Sequence, residues 1–321
     1  MKKFLVLLFA ILIIILVGGK IYTDAIVQNA EAKYPPAKFV TAENVRLHYL
    51  EAGSGPPVVI IPGGSGKIQD FSHSPLYPLV LDEYKVIIFD RPGLGYSEKP
   101  AEEATPEVQA RLIHSAIKEL GYEKPLILGQ SWGGVIALAY AQAYPNDLSG
   151  MLLLGTAPYP RERNTDIFNV IARTPMIGDL IVHTIYVPIG RHWVAPAMLK
   201  QNKDYFSPLD TVPAGYYDAT LEMGLRPSHV KTTAAETRII PASLAALVEN
   251  LDKIDVPVMI VAGDLDKHAM EQSVHLQEDL PASKVKVVEG TNHYLWFSKP
   301  EVVMETIREL WIWSDEFHAS K

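Results

Sequence analysis

Six short apolar runs constrain what this chain can fold into. They are PVVIIPGG (57–64), YKVIIFD (84–90), PLILGQ (125–130), SGMLLLGT (149–156), VPVMIVAGD (256–264) and KVKVVEG (284–290). Continuous runs of this length suit strands covered on both faces, as in a parallel sheet. A seventh segment, VRLHYLEAG (45–53), alternates and reads as a more exposed edge strand. Helical patterns separate several of the runs. One spans 106–120 behind the N-cap candidate Thr105 and stops at Gly121; others cover 133–144 and 300–313. Strand, helix and strand in succession give right-handed crossovers, and so an open, mostly parallel α/β sheet with helices on both faces.

The stretch from 160 to 250 breaks this alternation. It has no comparable strand run. Its helical fragments are interrupted by Pro175, Pro188, Pro196, Pro208, Pro213, Pro227 and Pro241, and aromatics are scattered through it. An insertion there, before the penultimate strand, is expected to form a helical cap over one end of the sheet. The core is then 39–159 together with 251–321. With 321 residues, 48% of them hydrophobic, the chain can bury one large domain of this kind.

Ahead of the core, Met1-Lys2-Lys3 precedes sixteen uncharged residues, Phe4 to Gly19. As a helix they span roughly 24 Å, short for a bilayer but extendable through Tyr22. Residues 1–22 therefore read as a signal anchor, or as a cleaved signal peptide with its basic start and apolar centre; a buried core helix is the third reading. Lys2 and Lys3 favour a cytoplasmic start and an exported, extracytoplasmic body, secreted if the segment is removed. Residues 23–38, ending in Tyr34-Pro35-Pro36, read as a tether.

Composition excludes several functions. A formal charge of −8 argues against nucleic-acid binding. The absence of cysteine removes thiol catalysis, disulfides and zinc–thiolate sites.

Gly129-Gln130-Ser131-Trp132-Gly133 sits between a predicted strand and a predicted helix and fits G-x-S-x-G. A turn that sharp strains the serine backbone, and side chains two residues to either side would collide with it, so glycine is needed there. Ser131 is thereby offered at the carboxyl end of the sheet as a nucleophile. Its hydroxyl needs a base. Among ten histidines, His293 stands on the loop after the last predicted strand, at the same end of the sheet; His268 is the rival. The histidine needs a carboxylate to hold its tautomer. Asp264 ends the run 256–264, and Asp266 stands further out on the loop, three residues past Gly263. Ser131, Asp266 and His293 occur in the hydrolase order.

These residues resemble the α/β-hydrolase fold superfamily, in its serine-nucleophile branch with a helical cap, over most of 40–315. Pro62-Gly63-Gly64-Ser65-Gly66 resembles that family's His-Gly-Gly-Pro-Gly loop. Asp90 to Ser97 resembles its Asp-x-x-Gly-x-Gly-x-Ser segment, read here as bracing for the site. Proline and serine replace the usual residues at 62 and 65. The resemblance implies oxyanion donors at the backbone N–H groups of Gly64 and Trp132, neither of which needs the missing histidine. It also implies acyl transfer through Ser131, with no metal or organic cofactor. Haloalkane dehalogenases and epoxide hydrolases of this fold share Asp-Arg-Pro-Gly but use an aspartate nucleophile.

The expected substrate is a small or medium apolar ester, with carboxylesterases as the similar enzymes. PGGSG and GQSWGG are also similar to proline iminopeptidases, whose amine-binding acids would here be Asp204, Asp210, Asp218 or Glu222. A non-catalytic ligand receptor on a hydrolase scaffold is the reading from another class. The sequence gives no oligomeric state.

Overall fold

The computed structural model describes residues 1–160 and 166–321; the first residues of the expected cap, 161–165, lie outside the described residues. Among the described residues eight strands form one sheet: β1 (Lys38–Ala42), β2 (Val45–Ala52), β3 (Pro57–Ile61), β4 (Lys85–Phe89), β5 (Leu126–Gln130), β6 (Gly150–Leu154), β7 (Val258–Gly263) and β8 (Ser283–Val288). Their order is β1-β2-β4-β3-β5-β6-β7-β8. The first two strands pair antiparallel, β2 also runs antiparallel to β4, and β3 to β8 are parallel.

Period-two alternation divides the central strands between two layers. Val59, Ile61, Ile127, Leu153 and Ile260 face the core shared with the helices Pro106–Glu119 and Trp132–Ala143. Val58, Ile60, Leu128, Leu152 and Val261 face the opposite core, shared with the helix Pro300–Ala319. Every residue of β5, β6 and β7 is buried, which is why their sequences read as uninterrupted apolar runs. Thr105 caps its helix, its hydroxyl accepting from the Val108 N–H at 3.4 Å.

Strand β1 falls partly in the expected tether. It is short and half exposed, and a two-residue turn at Glu43 and Asn44 joins it to β2, with φ of 49° and 66°. Between β6 and β7 the described residues are helical and contain no strand. Pro227 begins a helix, as expected of a break. Pro188 and Pro196 do not interrupt theirs: the chain stays helical from Ile177 to Phe206, with π-helical turns at Val182–Tyr186 and Gly190–Val194 just before them. Pro241 does not break: the helix Pro227–Val248 runs through it. The missing N–H is one bond in a 22-residue helix, whose buried face (Val230, Ala234, Leu244, Leu247) holds it against the core.

The N-terminal segment forms one helix, Lys2–Lys33, long and apolar enough by length and composition to cross a membrane. Residues 23–33 are therefore not a free tether. Thr23, Ile26 and Ala30, spaced to lie on one helical face, are buried against the insertion between β6 and β7. Tyr22 bonds His192 at 2.6 Å, Lys33 bonds Asp218 at 2.6 Å, and Glu31 bonds Arg226 at 2.9 Å. Most large side chains from Phe4 to Val17 are exposed.

Candidate active site

The carboxyl ends of β3 and β5 are adjacent, and the chain leaves β3 toward β4 on one side while β5 lies on the other. Such a reversal opens a crevice at the ends of the strands. Ser131 stands there, between β5 and the helix Trp132–Ala143, with φ 50° and ψ −116°. Its N–H donates to the Leu154 carbonyl at 2.9 Å, which ties the turn to β6. The flanking glycines are sterically required. A Cβ on Gly129 would lie 2.6 Å from the Gly133 carbonyl oxygen, and one on Gly133 would lie 2.0 Å from that of Ile61. The helix start is pressed against the end of β3.

The structure brings His293 and Asp266 together. Imidazole Nδ1 lies 2.6 Å from Asp266 Oδ2, from a loop 27 residues away in sequence. Asp266 also caps the helix Lys267–Asp279 by accepting from the Ala269 N–H at 3.3 Å. Burial pushes its carboxyl up, but the His293 hydrogen bond and charge, with the Ala269 amide, more than offset this and hold it below the ordinary carboxylate value. Asp264 takes a different position: its Oδ1 accepts from the Thr291 N–H at 3.2 Å, which fixes the loop that carries His293. His268 pairs with Gln272 at 3.3 Å.

Nε2 of His293 faces the Gln130 side-chain nitrogen at 2.9 Å. An amide N–H donates, so the ring nitrogen accepts, and Nδ1–H donates to Asp266. That tautomer puts the acceptor lone pair of the ring on Nε2, where the Gln130 amide meets it. Sequence reading passed over Gln130, since the second position of G-x-S-x-G tolerates any residue. Ser131, His293 and Gly64 together line two cavities, of about 600 and 460 Å³. Asp266 and Trp132 line the smaller one. Gly64 and Trp132 are neighbours, since a Cβ on the glycine would sit 3.9 Å from the tryptophan Cβ. Trp132 is the first helical residue, so its N–H has no partner within the helix.

The larger cavity has an apolar wall from the insertion, including Phe168, Tyr186, Met198, Leu199 and Leu225. Phe168 and Tyr186 stack with centroids 4.0 Å apart. Its polar wall holds a pair not foreseen from sequence, Lys67 and Asp70, joined at 2.6 Å and both buried. His229 also lines it; burial, then the nearby Lys67 charge, pushes its imidazole down to about 3. None of Asp204, Asp210, Asp218 and Glu222 lines this cavity among the described residues. Asp218 is engaged by Lys33 and Tyr34, and Glu222 by Arg191. The Asp90 segment braces the site: its carboxylate accepts from His48, from the Tyr96 N–H and from the Ile68 N–H at the start of the short helix Ile68–Ser72 after β3. Among the described residues no cluster of His, Asp and Glu has metal-holding geometry.

Comparison with known proteins sets this geometry in a family. A 2-hydroxy-6-oxo-6-(2'-aminophenyl)hexa-2,4-dienoic acid hydrolase of Metapseudomonas resinovorans is 31% identical over 150 residues, 46% of this chain and 51% of that one. The proline iminopeptidase of Lactobacillus helveticus is 24% identical over 284 residues, 83% of this chain and 92% of the enzyme. A solved membrane phospholipase A, described as a bacterial virulence factor, shares the fold with a TM-score of 0.65 and 22% identity, covering 98% of this chain and 99% of that one. The family model for the alpha/beta hydrolase fold matches residues 56–300, and the chain belongs to that family.

Proposed function

We propose that this protein is a serine hydrolase that cleaves a carboxylic ester through an acyl-serine intermediate. The observation that carries the reading is the His293–Asp266 contact of 2.6 Å, on a histidine that shares two cavities with the strained Ser131. His293 Nε2 takes the Ser131 proton as the oxygen attacks the carbonyl carbon. The resulting oxyanion is held by the N–H groups of Gly64 and Trp132, two donors fixed before the reaction begins. The imidazolium, steadied by Asp266, protonates the departing alcohol. A water molecule, deprotonated by the same histidine, releases the acid. In this cycle the imidazole leaves Gln130 for Ser131 before the first proton transfer.

Substrate follows from the walls. The larger cavity, with its insertion-derived apolar wall, suits an acyl chain, and the smaller one suits the alcohol portion. In this reading 39–159 and 251–321 form the core and 160–250 the cap. The apolar half of the helix Lys2–Lys33 sits in a membrane with Lys2 and Lys3 on the cytoplasmic side. The body is exported and its ester drawn from the lipid phase; the phospholipase neighbour supports that direction. The likeness to a proline iminopeptidase supports amide cleavage as a second reading. Against it stand the sequence-predicted amine acids, which lie away from the larger cavity.

A panel of p-nitrophenyl esters of increasing chain length, run beside L-prolyl p-nitroanilide on the detergent-solubilised chain, decides between them. Ester turnover without anilide release is expected. Anilide release alone overturns the ester reading, and a folded chain inert to both points to the ligand-receptor alternative.

A further inference from the structure

The Asp90-Arg91-Pro92-Gly93 segment holds a residue that its bracing role leaves unexplained. Arg91 is fully buried, yet its guanidinium does not pair with its neighbour Asp90. Nε and Nη2 both donate to the carbonyl oxygen of Gly63, at 3.2 and 2.9 Å. The far edge donates from Nη1 to Gln109 Oε1 at 2.8 Å and to the Glu236 carboxylate, which Nη2 also meets at 3.1 Å. Gln109 in turn donates to Glu236 at 3.0 Å. Glu236 belongs to the helix Pro227–Val248 of the insertion. One buried cation thus joins that helix to the loop after β3.

The carbonyl it grips is a particular one. Gly63 C=O and Gly64 N–H are two ends of the same peptide unit. In a trans peptide the C=O and N–H bonds point in opposite directions. A guanidinium that fixes the carbonyl therefore fixes the direction of the N–H on the far side, toward the Ser131 cavity that Gly64 lines. A positive charge on the carbonyl oxygen also draws electron density out of the amide and makes its N–H a stronger donor. The Gly66 N–H adds a third bond to the same oxygen at 3.0 Å, so no rotation of this peptide is free of cost.

We infer that Arg91 is a positioning residue for the oxyanion hole, clamping and polarising the Gly63–Gly64 peptide, with Glu236 setting the clamp from the insertion. The inference rests on the serine-hydrolase reading above. It predicts a defect in stabilising the oxyanion rather than in binding substrate. Lysine cannot replace the fork, because a point ammonium cannot reach Gly63, Gln109 and Glu236 at once.

The test compares a p-nitrophenyl ester with its thionoester on the full chain in detergent. Sulfur is a poor hydrogen-bond acceptor, so the ester-to-thionoester ratio of kcat/KM reports the hole and is insensitive to general loosening. The variant is R91M combined with E236Q, which avoids leaving a buried carboxylate unpaired. Expected are a fall in ester kcat of about tenfold or more with KM little changed, and a lowered ratio. R91K and E236Q alone are each expected at an intermediate ratio. An R91M/E236Q ratio equal to wild type overturns the clamp even if both rates fall. Should that variant not fold, R91K at the wild-type ratio overturns it instead. A folded wild type that hydrolyses neither substrate overturns the hydrolase reading and the clamp with it. An active wild type whose Arg91 variants keep its ratio overturns the clamp alone.

Discussion

The Tyr294 N–H donates to the Tyr205 carbonyl at 2.9 Å, so the loop that carries His293 is hydrogen-bonded to the insertion between β6 and β7. Side chains reinforce the link. Phe206 stacks on Tyr294 with centroids 4.5 Å apart, and the hydroxyls of Tyr216 and Tyr294 meet at 2.8 Å. The position of the candidate base is therefore set from the insertion as well as from β8.

Phe206 is the centre of that contact and is almost wholly buried. Truncation to alanine is expected to cost about 3–5 kcal/mol of stability, as for other buried aromatics. It should also slow ester hydrolysis at temperatures where the protein remains folded. Thermal unfolding and kcat on one ester check both parts. An unchanged kcat in the folded variant would show that the insertion does not position His293.

Asp266 holds the tautomer of His293 in the proposed cycle. Asp266→Asn keeps the shape but presents an N–H where a carboxylate oxygen stood. The rate is expected to fall by about a thousandfold or more, with KM little altered. A steady-state comparison of the two proteins decides it. A loss of less than tenfold would place the carboxylate role elsewhere, Asp264 being the alternative.

Acid stability carries a signature of His229. Its imidazole is held down to about 3 by burial and by Lys67, against 6.5 in the unfolded chain. Between these values the unfolded state binds the extra proton, so stability rises with pH and is lost as pH falls from 6.5 toward 3. The limit for a single group is about 1.4 kcal/mol per pH unit in that window. Asp266, whose carboxyl lies below 3.8, adds stability that is lost only at more acidic pH. Tm measured at pH 7, 5.5 and 4 should fall more steeply in wild type than in His229→Gln, which can keep a donor for the Ser65 carbonyl. Parallel profiles would contradict the assignment.

Gly133 of the elbow and Gly121, just past the helix Pro106–Glu119, provide a steric prediction. Gly133→Ala drives a methyl group into the β3 backbone at Ile61 and is expected to abolish folding or cost several kcal/mol. Gly121→Ala meets nothing within 4 Å and carries only the strain of φ +77°, about 1–2 kcal/mol. Chemical denaturation of both variants tests the ordering, and a larger loss at Gly121 would reverse it.

Much of the fold was legible because burial on two faces leaves a local trace: β3 to β7 contain little but apolar residues. Ser131 was legible for a similar reason, since the glycines at 129 and 133 are demanded by backbone contacts that occur wherever this turn forms. Strand β1 was missed because it is short, half exposed and paired through a turn without glycine. The packing of residues 23–33 on the insertion was missed because only Thr23, Ile26 and Ala30 of that span are buried, a stripe too sparse to read before its partner is known. Gln130 and Arg91 were illegible for another reason. Their partners, His293 and the Gly63 carbonyl, are joined to them only by the tertiary structure.

The most direct test is covalent labelling of the full chain with a fluorophosphonate, followed by mass mapping of the adduct. The account predicts a single adduct on the peptide containing Ser131, absent from a folded Ser131→Ala protein. Equal labelling of that variant, or a folded wild-type chain that takes up no label, would contradict it.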